Sequence, residues 1–403
     1  MLVLIAMGLG YAALNGYFLF RLLTWLKNVT LYTRKKRVRV PAIVLFLFLS
    51  TAVIVSAFLP GGSALKAAYV RVGNFWYGMC LYAGLSLAVA DLVRLTVMAV
   101  EKLRKKPTGL RTRRAHVIAG ALCIAIIAAV TVGGTINARI IRVKSFDLAV
   151  AKTAGALGQL NIVLCADLHM GYNIGLSHIR QMVDKINAQH PDLVVFAGDI
   201  FDNDYDRLDD PDALLAEFQR IESKYGLYAC YGNHDVKEIV VGGFAATPPM
   251  ESKTSDPRMD EFLERAGVTL LRDEGVLIDN SFYLYGRPDF RHPGRGIVQR
   301  KTPEQITADL DRSKPIIVLD HEPYELGELA RAGVDVDLSG HTHDGQLFPL
   351  TLAVDWMWEN DCGYLNKDGM HSVVTAGVGL YGPNMRVGTA PDISVIHLTF
   401  SEG

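Results

Sequence analysis

The stretch NIVLCADLH, residues 161–169, is an apolar run that ends in Asp167 and His169. The run reads as a buried strand, and the residues that follow it are able to bind a metal. Four further stretches repeat the arrangement. DLVVFAGD (192–199) ends at Asp199, LYACYGNHD (227–235) at Asn233, His234 and Asp235, PIIVLDHEP (315–323) at His321, and VDVDLSGHTH (334–343) at His341 and His343. In open α/β sheets, ligand sites form outside the carboxyl ends of the strands, so five such ends can meet in one cleft. Asp, Asn and His suit Mn, Fe and Zn. Taken singly, each residue has an ordinary explanation: Asp199 fits a helix cap, Asn233 a turn, and a lone His a satisfied core or surface group. Taken together, five of the eleven His stand at strand ends beside Asp, Asn or Gly, which chance placement does not explain.

Outward from these runs, strands are expected at 162–166, 193–197, 227–231, 276–278, 282–285, 316–319, 336–338, 372–376 and 393–399. Helices are expected at 176–189, 213–223, 258–266, 303–313 and 324–331. In the first of these helices Ile179, Met182, Val183 and Ile186 share one face at helical spacing. The alternation predicts an α/β domain of βαβ units from residue 139 to 403.

Residues 1–138 read differently. The chain of 403 residues is 50% hydrophobic, and four apolar stretches, 2–20, 40–59, 75–97 and 115–136, reach the roughly 20 residues that a spanning helix needs. The first has no charge before Arg21 and no small-residue cleavage pattern, so it reads as a retained span. Residues 27–39 carry six Lys and Arg and residues 101–114 carry seven, against only Lys66 and Arg71 between the second and third spans. By the positive-inside rule the basic loops face the cytoplasm, and four crossings leave the α/β domain extracytoplasmic. Asp91 and Arg94, three apart in the third span, are expected to form a local ion pair. Residues 1–140 hold 18 basic against 2 acidic residues, and the remainder 23 against 40. An acidic domain with its positive charge between apolar runs is not a nucleic-acid duplex binder. Five Cys cannot frame a disulfide scaffold, and the apolar content excludes a disordered chain.

The metal-type residues resemble the calcineurin-like metallophosphoesterases, in particular a bacterial membrane-associated branch. The pattern D-x-H, GD, GNH with an acidic partner, a single His and G-H-x-H stands here as Asp167-Leu168-His169, Gly198-Asp199, Gly232-Asn233-His234-Asp235, His321 and Gly340-His341-Thr342-His343. The resemblance covers about residues 140–400. It implies a four-layer α-β-β-α sandwich with two divalent ions, Mn, Fe or Zn. One ion would be held by Asp167, His169, Asp199 and His343, the other by Asp199, Asn233, His321 and His341, with Asp199 bridging. It further implies His234 as a catalytic group over the phosphoryl group and phosphoester hydrolysis by metal-bound hydroxide. Asp235 is suited to orient the His234 imidazole, and a turn or helix cap is the plainer reading. Ala166 and Asp344 depart from the usual SDLH and GHTHGGQ forms, at positions that are not expected to be ligands.

Candidate rim segments are 201–210, 241–256, 287–301 and 351–370. Arg287, Arg291, Arg295, Arg300 and Lys301 offer a grip for a second phosphate, with a solvated loop as the plainer reading. Trp356, Met357 and Trp358 suit either core packing or the bilayer interface. With the site tethered to membrane lipids, a phosphodiester or a pyrophosphate-linked envelope or lipid ester is the expected substrate. A protein Ser/Thr or small-molecule phosphomonoesterase is the nearest alternative, although the GDxVDRG and RGNHE forms are absent. A membrane sensor with a phospho-ligand-binding domain is the alternative of another class.

Overall fold

A computed structural model describes residues 2–236, 240–241, 244–245, 256–294 and 296–401. Arg295 and most of the 241–256 rim segment therefore lie outside the described residues. The chain divides into two compact units, Met1–Leu59 with Ala68–Thr135, and Pro60–Ala67 with Ile136–Gly403.

Four helices open the chain: α1 (Leu2–Val29), α2 (Lys36–Ser56), α3 (Ala64–Arg104) and α4 (Arg113–Asn137). Among the described residues, α2, α3 and α4 are long and apolar enough to cross a membrane by length and composition. The expected first span falls within α1. At 41 residues, α3 is about 60 Å long, so the expected span 75–97 is only its middle, and residues 64–74, read as a loop, are helical. In the first unit Phe46 and Trp76 pack edge to face at 4.9 Å, and Trp76 donates its indole N–H to Asn15 Oδ1 at 3.0 Å. Asp91 pairs with Arg21 and accepts from Tyr17, both on α1, instead of closing a local pair with Arg94. A carboxylate among apolar helices is better met by a partner on a neighbouring helix than by a side chain free to snorkel away.

The second unit holds two six-stranded sheets. In chain order the strands are β1 (Arg142–Val150), β2 (Gln159–Cys165), β3 (Leu193–Ala197), β4 (Leu227–Cys230), a two-residue pair β5 (Val240–Val241) and β6 (Phe244–Ala245), β7 (Val268–Leu270), β8 (Glu274–Ile278), β9 (Phe282–Gly286), β10 (Ile316–Leu319), β11 (Val336–Ser339), β12 (Gly363–Lys367), β13 (Met370–Val374) and β14 (Asp392–Phe400). One sheet runs β1-β14-β2-β3-β4-β7, the other β12-β13-β11-β10-β9-β8. The helices are α5 (Leu176–Asn187), α6 (Pro211–Phe218), α7 (Pro257–Arg265), α8 (Pro303–Thr307), α9 (Leu326–Arg331) and α10 (Leu350–Met357).

Strands β2, β3 and β4 are parallel neighbours in the first sheet, as are β10 and β11 in the second. These five strands carry the ligand-bearing stretches, so their carboxyl ends leave each sheet on one edge. Both sheets share one apolar core, in which Ile162, Leu164, Val195 and Ala197 of the first meet Leu284, Ile317, Leu319 and Leu338 of the second. A second core packs α5, α6 and α7 on the first sheet, with Ile179, Met182, Val183 and Ile186 all fully buried as the spacing predicts. A third packs α8 and α9 on the second sheet. Strands β1, β5, β6, β7 and β12 and helix α10 stand outside the expected elements, and the helix read at 303–313 stops at Thr307.

Candidate metal centre

The loops after the five strands are tied to one another through their backbones. Asp167 N–H donates to Gly198 O at 3.0 Å, His169 N–H to Asp199 O at 2.9 Å, and Gly340 N–H to His321 O at 3.0 Å. The nominated ligands gather in two groups, Asp167 with His169 and His343, and Asp199 with His321 and His341, while His169 also forms a third with Asp202 and His234, the ligand atoms of each within 4.8 Å of one another. In the first, His169 Nε2 faces His343 Nε2 at 3.0 Å. In the second, Asn233 Oδ1 lies 3.1 Å from both His321 Nε2 and His341 Nδ1. Asp199 Oδ2 stands between the groups, 3.3 Å from His321 Nε2 and 3.6 Å from His169 Nε2. All seven residues nominated from the sequence as ligands are thus brought together.

The backbone is forced into this arrangement. Asp167, His169, Asp199, His341 and His343 all have φ between 46° and 71°, a left-handed conformation that costs a non-glycine residue on the order of 1–3 kcal/mol and concentrates at functional sites. Gly232 has to be glycine for a different reason: a Cβ there would meet Asp199 Oδ1 at 2.3 Å.

The donors suit a divalent cation. Asp167 Oδ1 and His169 Nδ1 are buried without a hydrogen-bond partner, and two imidazole nitrogens facing each other gain little unless something shared sits beside them. Burial, aided by the Asp199 carboxylate, pushes the Asp167 carboxyl up to about 7. Burial brings the His169 imidazole down to about 4 and that of His341 to about 3, and holds His343 well below its usual range. Neutral imidazoles are what metal binding requires. Burial would raise Asp199 too, but the His321 and His234 rings hold it well below the carboxylate range. Burial disfavours charge on His321, yet its pairing with Asp199 raises it well above the usual value. A bound cation would take that proton's place.

The profile of the calcineurin-like phosphoesterase family matches residues 160–345. The chain carries a calcineurin-like metallophosphoesterase domain. Its relatives include a transmembrane protein with metallophosphoesterase domain from Danio rerio, 29% identical over 345 residues that cover 80% of this chain and 74% of that protein. An uncharacterized metallophosphoesterase of Campylobacter jejuni subsp. jejuni is 27% identical over 263 residues, covering 64% and 63%. The UDP-2,3-diacylglucosamine pyrophosphatase LpxG of Chlamydia trachomatis is 22% identical over 240 residues, covering 52% and 70%. The protein is a metal-dependent hydrolase of phosphoric ester bonds, and among the described residues three of its helices are long and apolar enough to cross a membrane.

Around the metallophosphoesterase centre, several residues take parts that the sequence did not disclose. Asp235 does not set the His234 ring through the contacts seen here: its Oδ1 accepts from Phe201 N–H at 2.9 Å and its Oδ2 from Gly232 N–H at 2.8 Å. The His234 ring instead meets Asn203 Oδ1, at 2.5 Å from Nδ1, while Asn203 Nδ2 is buried with no partner. Asn203 closes the GDIFDN segment, and its position four after Asp199 was the only signal. Glu322, directly after His321, lies 3.4 Å from His341 Nε2, and burial with nearby Asp289 pushes its carboxyl up to about 7. Tyr381, for which no sequence signal exists, sets its ring 4.9 Å from that of His234, tilted by 53°. Arg287 and Arg300 are no anion grip. Both are buried against Asp320, at 2.9 Å each, and also bond Glu325. Trp358 packs on His341 at 5.4 Å, whereas Trp356 is 88% exposed. The five cysteines are free thiols. A cavity of about 600 Å³ opens over the centre, lined by His169, Asn233, His234 and Tyr381 on its polar part and by Leu347, Leu350, Ala353 and Val354 on its apolar part.

Proposed function

We propose that the second unit holds two divalent cations, Mn, Fe or Zn, bridged by Asp199, and hydrolyses a phosphodiester or pyrophosphate-linked envelope lipid. The observation that carries this reading is the Asp199 carboxylate, whose Oδ2 lies within 3.6 Å of an imidazole of each group. Asp167, His169 and His343 complete one site, and Asn233, His321 and His341 the other. When bound, such a cation pair supplies an activated water and screens the charge of the phosphoryl group. His234 donates to the phosphoryl or leaving oxygen, with Asn203 holding its far nitrogen. Asp235 secures the turn that presents both Asn233 and His234.

In this reading residues 1–138 form a four-helix membrane anchor, residues 139–403 a four-layer α-β-β-α sandwich, and the basic loops keep that sandwich outside the cytoplasm. The three apolar cores of the second unit support the layering. The substrate class is supported by the tether and by the relative whose name specifies a diacylated sugar pyrophosphate. Full-length protein in detergent with added Mn, assayed on monoesters, diesters and pyrophosphate-linked lipids, tests it. Asn233→Ala and His234→Ala are expected to lose about 100-fold or more. Full activity in both would contradict the reading.

A further inference from the structure

Helix α10, LTLAVDWM, has one charged residue, Asp355, and buries none of its side chains. Leu350, Leu352, Trp356 and Met357 are exposed, as is Phe348 just before it. An apolar cluster of this density on a surface marks a contact with something apolar. Leu350, Ala353 and Val354 also line the cavity over the metal-type residues, and Met357 continues the same stripe at helical spacing. The apolar wall therefore begins inside the catalytic cavity and ends in the open.

The start of α10 shares a loop with Asn137, near the beginning of the second unit's main segment. Phe348 N–H donates to Val387 O at 2.7 Å. Asn137, the final residue of α4, donates its side-chain N–H groups to Arg386 O at 3.1 Å and Thr389 O at 2.7 Å. One short loop, 386–389, thus holds both Asn137 and the start of α10.

We infer that α10 is the seat of the hydrocarbon tail of an amphiphilic phosphoester, which lies along the Leu350–Met357 stripe while its phosphoryl group reaches the centre. This rests on the functional reading above and adds the surface that selects the substrate. The test uses full-length protein with Mn and two chromogenic diesters that differ only in alkyl length, ethyl and decyl p-nitrophenyl phosphate. Burying even a few methylenes predicts a kcat/KM at least about tenfold higher for the decyl ester. That ratio should fall toward one in the double variants L350S/M357S and V354S/M357S, and should persist in L350M/M357L, which keeps the apolar stripe and controls for folding. A ratio near one in the native protein, or an unchanged ratio in the serine variants, overturns the inference. So does a ratio that tracks protein concentration, which would make a second copy of the chain the occupant. Cleavage of neither diester would overturn the functional reading as well, and is told apart by the silent ethyl ester.

Discussion

Asn203 Oδ1 lies 2.5 Å from Nδ1 of His234, a contact made across 31 residues between two loops of the metallophosphoesterase centre. An amide oxygen only accepts, so the proton of this bond sits on Nδ1, and the ring turns its other nitrogen away from Asn203. The buried carboxamide fixes the ring without adding a charge.

Replacing Asn203 by Ala should therefore lower kcat by about 10- to 100-fold with little change in KM, since general acid catalysis depends on ring geometry. Asn203→Asp, which keeps an acceptor in place, should recover most of the loss. Steady-state kinetics on a diester read both; equal losses in the two variants would show that the contact is incidental.

The Arg287–Asp320–Arg300 cluster is a structural clamp in this account. Asp320→Ala leaves two buried guanidinium groups with Glu325 as their one carboxylate partner, and should cost about 3–5 kcal/mol. Asp320 Oδ1 also accepts from His321 N–H at 2.9 Å, so metal affinity should fall as well. Thermal melting with and without Mn measures both effects.

Gly232→Ala would bring a Cβ within 2.3 Å of Asp199 Oδ1 and 2.8 Å of the His321 ring, and should push the Asp199 carboxylate from its place between the two groups. Metal content by mass spectrometry is expected to drop below one ion per chain.

Much of the centre was legible because its chemistry coincides with strand ends, where an apolar run makes the polar residue after it conspicuous. Asn203 was not, since an Asn in a loop most often holds a turn and its partner lies far along the chain. Asp235 was given to His234 by adjacency, whereas its oxygens are taken up by Phe201 and Gly232 N–H groups. Charge alone leaves Arg287 and Arg300 open between a phosphate grip and a solvated loop, and they are neither: burial makes them internal ion pairs. In the fold, β1 (RVKSFDLAV) escaped notice because its residues alternate between exposed and half-buried over most of its length, and its parallel partner β14 comes from the far end of the chain. Asp91 reads as a partner of Arg94 by spacing and is met by Arg21 through helix packing.

A pH dependence follows from Asp337, which is fully buried beside Ser339 and Ser372. Burial, with Asp320 nearby, raises its carboxyl from 3.8 to about 7. The folded protein then keeps a proton that the unfolded chain has released, so this group's contribution is fully present below about pH 4 and declines as pH rises to about 7. Asp337→Asn should be less sensitive than the native protein between pH 5 and 8 in thermal melts.

The central claim is a pair of cations sharing Asp199. Crystals grown with Mn and measured for anomalous scattering test it most directly. The account predicts two peaks about 3.5–4 Å apart, one beside Asp167, His169 and His343 and the other beside Asn233, His321 and His341. A single peak, or peaks away from these side chains, would contradict it.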